Sequence, residues 1–375
     1  MKLMQNKNYY DIIIENITKE WYDSMSKKPN NEKWEISRYS KSEINKAGSI
    51  IANPNSSQEK RDNALIVLNN WRAAHAYPLQ VISSNLRLRN PNAVVVQRLK
   101  RLESIIGKIE RYPDMSLYRM QDLGGCRVIV DSIEQVYETV NRYKNSRIRH
   151  ILKREYDYIQ NPKDSGYRSY HMVYQFQSDK SETYNKNMLI EIQFRTKLQH
   201  IWATAVEMME IYTKSKLKSS QGDENILRFF SLVSSVLAIQ EGTSICPNTS
   251  DWIDELVTEI KSLDEKHNII ATLSGLNVAI DYVKEKDKNS KTGYYILILD
   301  YKRKVVSIRA FKSSNIEIAT KAYGQIENQT DKNVVLVSAN SFDTLREAYP
   351  NYFVDISGFV DMMRGIIKKH GDILK

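Results

Sequence analysis

Cysteine is nearly absent: Cys126 and Cys246 are the only two in 375 residues. They lie far apart and form neither a disulfide framework nor a CxxC metal pair, which argues against structural zinc. Long apolar runs are missing too, since no stretch approaches the ~18 consecutive residues of a membrane span. The opening residues Met1–Asp11 lack the apolar core of a secretory signal, so a cytoplasmic location without a membrane partner is expected. No internal repeat and no low-complexity tract interrupts the chain. A hydrophobic content of 41% with 27% charged residues excludes a disorder-dominated chain.

Negative charge is the sign in short supply. The chain carries 55 Lys and Arg against 45 Asp and Glu, and the imbalance is local. Residues 1–242 hold 37 cations against 27 anions, whereas residues 243–375 hold 18 of each. The first part should therefore prefer a polyanion; RNA would use many of these cations and a nucleotide only a few.

The densest chemistry lies between Asp157 and Glu207. A turn-rich loop packs Pro162, Lys163, Gly166, Tyr167, Arg168 and His171 together, supplying cations, an imidazole and a ring on which a base can stack. Downstream, Ile190-Glu-Ile-Gln-Phe-Arg195 alternates with period two, placing Glu191, Gln193 and Arg195 on one face of a strand and three apolar residues on the other. A helix follows with Leu198, Ile201, Trp202, Ala205 and Met209 on its core side and His200, Thr204 and Glu207 in a separate row.

Upstream, Asp122-Leu-Gly-Gly-Cys-Arg127 sets a carboxylate before a tight turn and a β-branched strand. That position suits a Mg²⁺ ligand, and equally a turn-former. Arg87 and Arg89 share one side of a segment expected to be extended, with Arg98, Lys100 and Arg101 beyond it; a phosphate-binding role competes with a solvated face. The remaining pattern predicts helices over residues 8–53 with a break at 26–31, a capped helix after Ser57, and a helix after Pro91 carrying Val95, Leu99, Leu102 and Ile105. A hairpin-like segment is expected over 150–157 and a helix over 224–241. The break at 242–250 is the expected domain boundary. It is followed by a long helix over about 251–273 and a small α/β unit with a hairpin around Lys302–Lys304.

Taken together, Asp122–Arg127, Asp157–His171 and Glu191–Thr196 with Trp202-Ala203 resemble the synthetase domain of the RelA/SpoT family, over about residues 80–242. The resemblance implies an α+β fold, a mixed β-sheet flanked by helices and related to nucleotidyltransferases, joined here to a second small α/β C-terminal domain. It implies transfer of pyrophosphate from ATP to a ribose 3′-hydroxyl with Mg²⁺ as cofactor. On this reading Asp122 and Glu191 are the catalytic and metal-binding carboxylates. Arg87, Arg89 and Arg127 hold ATP, and Lys163, Tyr167, His171 and Arg195 hold the acceptor. Arg89 stands where alarmone synthetases often have Lys, and Met208 follows Glu207 where many have His.

The tail of this region and the neutral domain after it also resemble the fused toxin–antitoxin members called CapRel, within the toxic small alarmone synthetases. That resemblance implies a toxin domain over 1–242 that pyrophosphorylates the tRNA 3′-CCA end and stops translation. It implies an antitoxin domain over 243–375, similar to a zinc finger without zinc, that restrains the toxin until a phage protein such as the major capsid protein binds. Tyr349-Pro-Asn-Tyr352 looks like the element that blocks the ATP site. The alternatives are a (p)ppGpp synthetase using GDP or GTP under C-terminal allosteric control, and an inactive RNA-binding module. The latter has no need of two carboxylates beside a polyanion.

Overall fold

The computed structural model describes residues 34–213, 217, 222–275, 292–300, 305–312, 316–327, 332–338 and 356–371. The helical expectation for residues 8–33 and the Tyr349/Tyr352 element lie outside the described residues.

Three helices open the described chain. Helix α1 (Lys41–Ala52) starts at a reciprocal capping box between Ser40 and Glu43. Helix α2 (Gln58–Ala74) ends before α3 (Ala76–Arg89), which takes Pro78 in its first turn, where a missing N–H costs no helical bond. Arg87 and Arg89 therefore sit on the last turn of a helix, not on an extended segment.

The expected helix after Pro91 is corrected as well. Residues Val94–Leu99 form strand β1, and helix α4 (Leu102–Arg111) begins only after Arg101. Three consecutive β-branched valines between two neighbouring strands override the helical spacing of Val95, Leu99 and Leu102.

Strand β2 (Gly124–Val130), helix α5 (Ile133–Lys144) and strands β3 (Ile151–Asp157), β4 (Tyr170–Gln175) and β5 (Leu189–Thr196) follow. Residues 150–157 thus give one strand, whose partner is β4, rather than a hairpin of their own. Helices α6 (Lys197–Thr213) and α7 (Glu224–Glu241) come next, and α7 closes at Gly242 in the left-handed region (φ 63). The expected long helix is two, α8 (Ile253–His267) and α9 (Ile269–Gly275), broken at left-handed Asn268 (φ 51). The C-terminal part supplies β6 (Thr292–Asp300), β7 (Val305–Lys312), α10 (Ile316–Glu327), β8 (Lys332–Ser338) and α11 (Ser357–Gly371).

All eight described strands join one mixed sheet in the order β3-β4-β5-β2-β1-β8-β6-β7. Among these described strands only β2 and β5 pair in parallel. Strand β8 attaches to β1 through the short register Gln97↔Ser338 and Arg98↔Val337. On one face, Gln97, Cys126 and Ile192 point toward α3 and α5. On the other, Val96, Ile129, Tyr295 and Val337 join a core with Trp202, Phe230, Leu256, Leu273 and Phe359 from α6, α7, α8, α9 and α11.

Candidate active site

The parallel pairing of β2 with β5 aligns Gly125 with Glu191 and Arg127 with Gln193, so Asp122, in the turn just before β2, comes beside Glu191 at the same end of the sheet. The neighbouring antiparallel β4 sets His171 opposite Gln193. Alternation then puts Arg127, His171, Glu191, Gln193 and Arg195 on one face.

Four of these side chains, His171, Glu191, Gln193 and Arg195, close a ring of hydrogen bonds with Tyr167. Glu191 accepts from Gln193 Nε2 at 2.7 Å and meets His171 Nδ1 at 3.0 Å. His171 Nε2 lies 2.9 Å from the Tyr167 hydroxyl. Arg195 Nη2 donates to that hydroxyl at 2.5 Å and to Gln193 Oε1 at 2.8 Å. Arg195 is only 3% exposed, yet among the described residues its Nε and Nη1 have no hydrogen-bond partner, an arrangement that a buried guanidinium maintains at a cost unless an anion completes it.

Tyr167 is placed by the loop. Gly166 adopts φ 84 and lies so close to Ser234 and Trp202 that a Cβ would come within 2.9 Å of each, a conformation and a space that only glycine accepts. Ser234 Oγ donates to the Gly166 carbonyl at 2.6 Å. Arg168, buried behind the loop, donates to Ser234 at 2.8 Å and to the carbonyls of Ile159 and Ser244. Lys163 lies 5.4 Å from the Tyr167 ring and 4.5 Å from that of Tyr158.

The electrostatics follow from this packing. Burial raises the Tyr167 pKa, but the Arg195 guanidinium and His171 outweigh it and bring the phenol down to about 7. Burial disfavours the His171 imidazolium, while Tyr167 and Glu191 favour it more and lift it to about 9. Glu191 is raised by burial and lowered further by His171, so it stays ionised below its ordinary range, with Asp122 opposing. Asp122 pairs with Lys100 at 2.8 Å and with Lys108 at 3.0 Å. Against its burial, these two ammonium groups hold its carboxyl well below the usual carboxylate range.

The structure thus brings together Asp122, Arg127, Lys163, Tyr167, His171, Glu191 and Arg195. It does not bring Arg87 and Arg89 to them. Arg87 donates to the carbonyls of Val95 at 3.2 Å and Ser338 at 3.5 Å and influences Cys126, whose side chain leaves the opposite sheet face. Arg89 acts on Tyr143 of α5, on that same far face. The cations beside the carboxylates are instead Lys100 and Lys108. Lys100 stands out in the sequence only as part of a basic cluster; Lys108, on the last turn of an amphipathic helix, gives no sign of its partner.

Comparison with known proteins bears on this same segment. The family described as the region found in RelA / SpoT proteins matches residues 97–217. This segment is therefore similar to the RelA/SpoT region. GTP pyrophosphokinase YjbM of Bacillus subtilis (strain 168) is 34% identical over 119 residues, 31% of this chain and 54% of that protein. GTP pyrophosphokinase YwaC of the same organism is 32% identical over 120 residues, 31% of this chain and 56% of that one. The chain spans about half the length of these curated relatives. Among solved structures, a GTP pyrophosphokinase family protein from Streptococcus pneumoniae aligns with TM-score 0.38 at 25% identity, over 52% of this chain and 93% of its own. Small alarmone synthetase 1 from Bacillus subtilis, bound to pppGpp, aligns with TM-score 0.37 at 23% identity, over 51% and 94%. Every residue of the ring, together with Lys100, Lys108 and Asp122, falls inside the matched segment 97–217.

Proposed function

We propose that the chain is a pyrophosphokinase that moves pyrophosphate from ATP to a ribose 3′-hydroxyl, and that its acceptor is the 3′-CCA end of tRNA. The observation that carries the transferase reading is the Glu191–His171–Tyr167–Arg195–Gln193 ring beside Asp122, inside the RelA/SpoT region. In this reaction the acceptor oxygen attacks the β-phosphorus of ATP, the bond to the α-phosphate oxygen breaks, and AMP leaves. The work required of the protein is positioning and charge neutralisation.

Glu191, held ionised by His171, accepts a hydrogen bond from the attacking hydroxyl and receives its proton. Arg195 has unused donors for an acceptor phosphate, and Lys163 stands over the loop with a further charge. Lys100, Lys108 and Arg127 face the triphosphate. Among the described residues no group of three or more His, Cys, Asp or Glu could hold a metal, but two carboxylates on a polyphosphate site fit Mg²⁺, which takes few protein ligands and completes its shell with phosphate and water. Asp122 and Glu191 would hold the ion, and it would supply charge neutralisation to the phosphates.

The cation excess of residues 1–242 supports an RNA acceptor. A second reading, a (p)ppGpp synthetase with GDP or GTP as acceptor, is supported by the names of the relatives. The two part in a direct assay: γ-labelled ATP is incubated with either tRNA or GDP, and the labelled product is identified.

Residues 1–242 are the transferase part on this proposal, and 243–375 restrain it until a phage protein binds, with Tyr349 and Tyr352 occluding the ATP site in a cytoplasmic defence system. Supporting this is the direct attachment of the C-terminal strand β8 to β1, through Arg98↔Val337 and the Arg87 bond to Ser338. A restraint of this kind needs only a few kcal/mol between two states for a partner to reverse it.

A further inference from the structure

The catalytic ring ends at Tyr167 and His171, but its face of the sheet continues outward to the edge strand β3. There Tyr156 stands opposite His171 in register. The rings of Tyr156 and Tyr158 are parallel within 4°, with centroids 5.6 Å apart, a separation at which they are offset, and both residues are half-buried. Tyr158 meets His171 edge-on at 5.2 Å and Tyr167 at 6.1 Å, so the row runs unbroken to the catalytic ring.

Cations bound the row at both ends. Lys163 lies 4.5 Å from the Tyr158 ring, and the exposed Arg154 reaches the Tyr156 hydroxyl at 3.2 Å, with exposed Lys153 next to it. Among the described residues β3 is the last strand of the sheet, and no further strand lies beyond it in the order. A mononucleotide held at Tyr167 and Glu191 has no use for two more rings and two more cations leading away from it. A single-stranded chain entering by its 3′ end does: its bases stack on successive rings while its phosphates meet the flanking charges.

We propose that Tyr156 and Tyr158, with Lys153, Arg154 and Lys163, form a stacking platform for the nucleotides that precede the reacting 3′ end of a single-stranded RNA acceptor. This rests on the RNA reading of the acceptor above and adds the residues that would distinguish such an acceptor from a free nucleotide. The platform residues bind and position; they touch no reacting atom.

The test is fluorescence anisotropy of a short labelled single-stranded RNA ending in CCA, titrated with the full chain. Tyr156→Ala should weaken binding about tenfold, as expected for a lost base–aromatic stack. Tyr156→Phe, which keeps the ring and loses only the hydroxyl that Arg154 reaches, should bind like the parent, and unchanged melting of both variants would show that the fold is intact. RNA bound by the parent and equally well by Tyr156→Ala overturns the platform and leaves the RNA acceptor standing. An equal loss in Tyr156→Phe also overturns it, since the ring would then not be what binds. A parent chain that binds no RNA while it transfers pyrophosphate to GDP removes the RNA acceptor, and the platform with it.

Discussion

Tyr167 shows how far neighbours can move one side chain. A phenol ordinarily titrates near 10, and here a guanidinium and an imidazole bring it to about 7. The folded chain therefore favours the phenolate more than the unfolded chain does. This group's contribution to stability is complete above its unfolded pKa and is lost as pH falls through about 7. Ultraviolet difference titration should show one tyrosine ionising near neutrality, and Tyr167→Phe should lack it. Asp122 makes the second residue-scale case. Asp122→Asn removes the charge that Lys100 and Lys108 both hold, and transfer should fall on the order of 10²–10³-fold. Stability should fall by roughly 1–3 kcal/mol, because the ion pairs are mostly buried and two ammonium groups lose a charged partner; initial rates and urea unfolding of the same preparation separate the two effects. The alternation of Ile190–Arg195 made the face shared by Glu191, Gln193 and Arg195 legible in the sequence. The ring they form was not legible, because it depends on the β4–β5 register that sets His171 against Gln193.

At the scale of elements, the loop between β3 and β4 is fixed from behind by α7. Gly166→Ala would force a Cβ against Ser234 and Trp202 at a left-handed φ, and should cost roughly 2–4 kcal/mol from backbone strain and overpacking together. Urea unfolding measures that loss, and transfer should drop with it because Tyr167 is the next residue. Element types were mostly readable: the 190–196 strand, the helix after it and the 224–241 helix all form where their periodicities predict. Val94–Leu99 is a strand where its spacing predicts a helix. Its apolar spacing fits either period, and only the neighbours β2 and β8 decide for a strand. A helical reading of that segment hides Lys100 and Lys108, which flank the end of a strand beside Asp122, and points to Arg87 and Arg89 in their place.

At the scale of the molecule, the apolar core crosses the proposed boundary: Val96, Trp202 and Phe230 pack in one cluster with Leu256, Val337 and Phe359. Cutting the chain at residue 242 would uncover that surface, so the proposed restraint is better tested on the intact chain. Replacing Tyr349 and Tyr352 by Ala together should arrest bacterial growth on induction, while the same double variant carrying Glu191→Gln should grow normally. Growth unaffected by the double replacement would contradict the restraint. Pyrophosphate transfer itself is measured with purified full chain, γ-labelled ATP and either tRNA or GDP, comparing the parent with Glu191→Gln. Label should enter the acceptor with release of AMP in the parent, and transfer should fall on the order of 10²–10³-fold in Glu191→Gln; equal transfer by Glu191→Gln would overturn the transferase assignment.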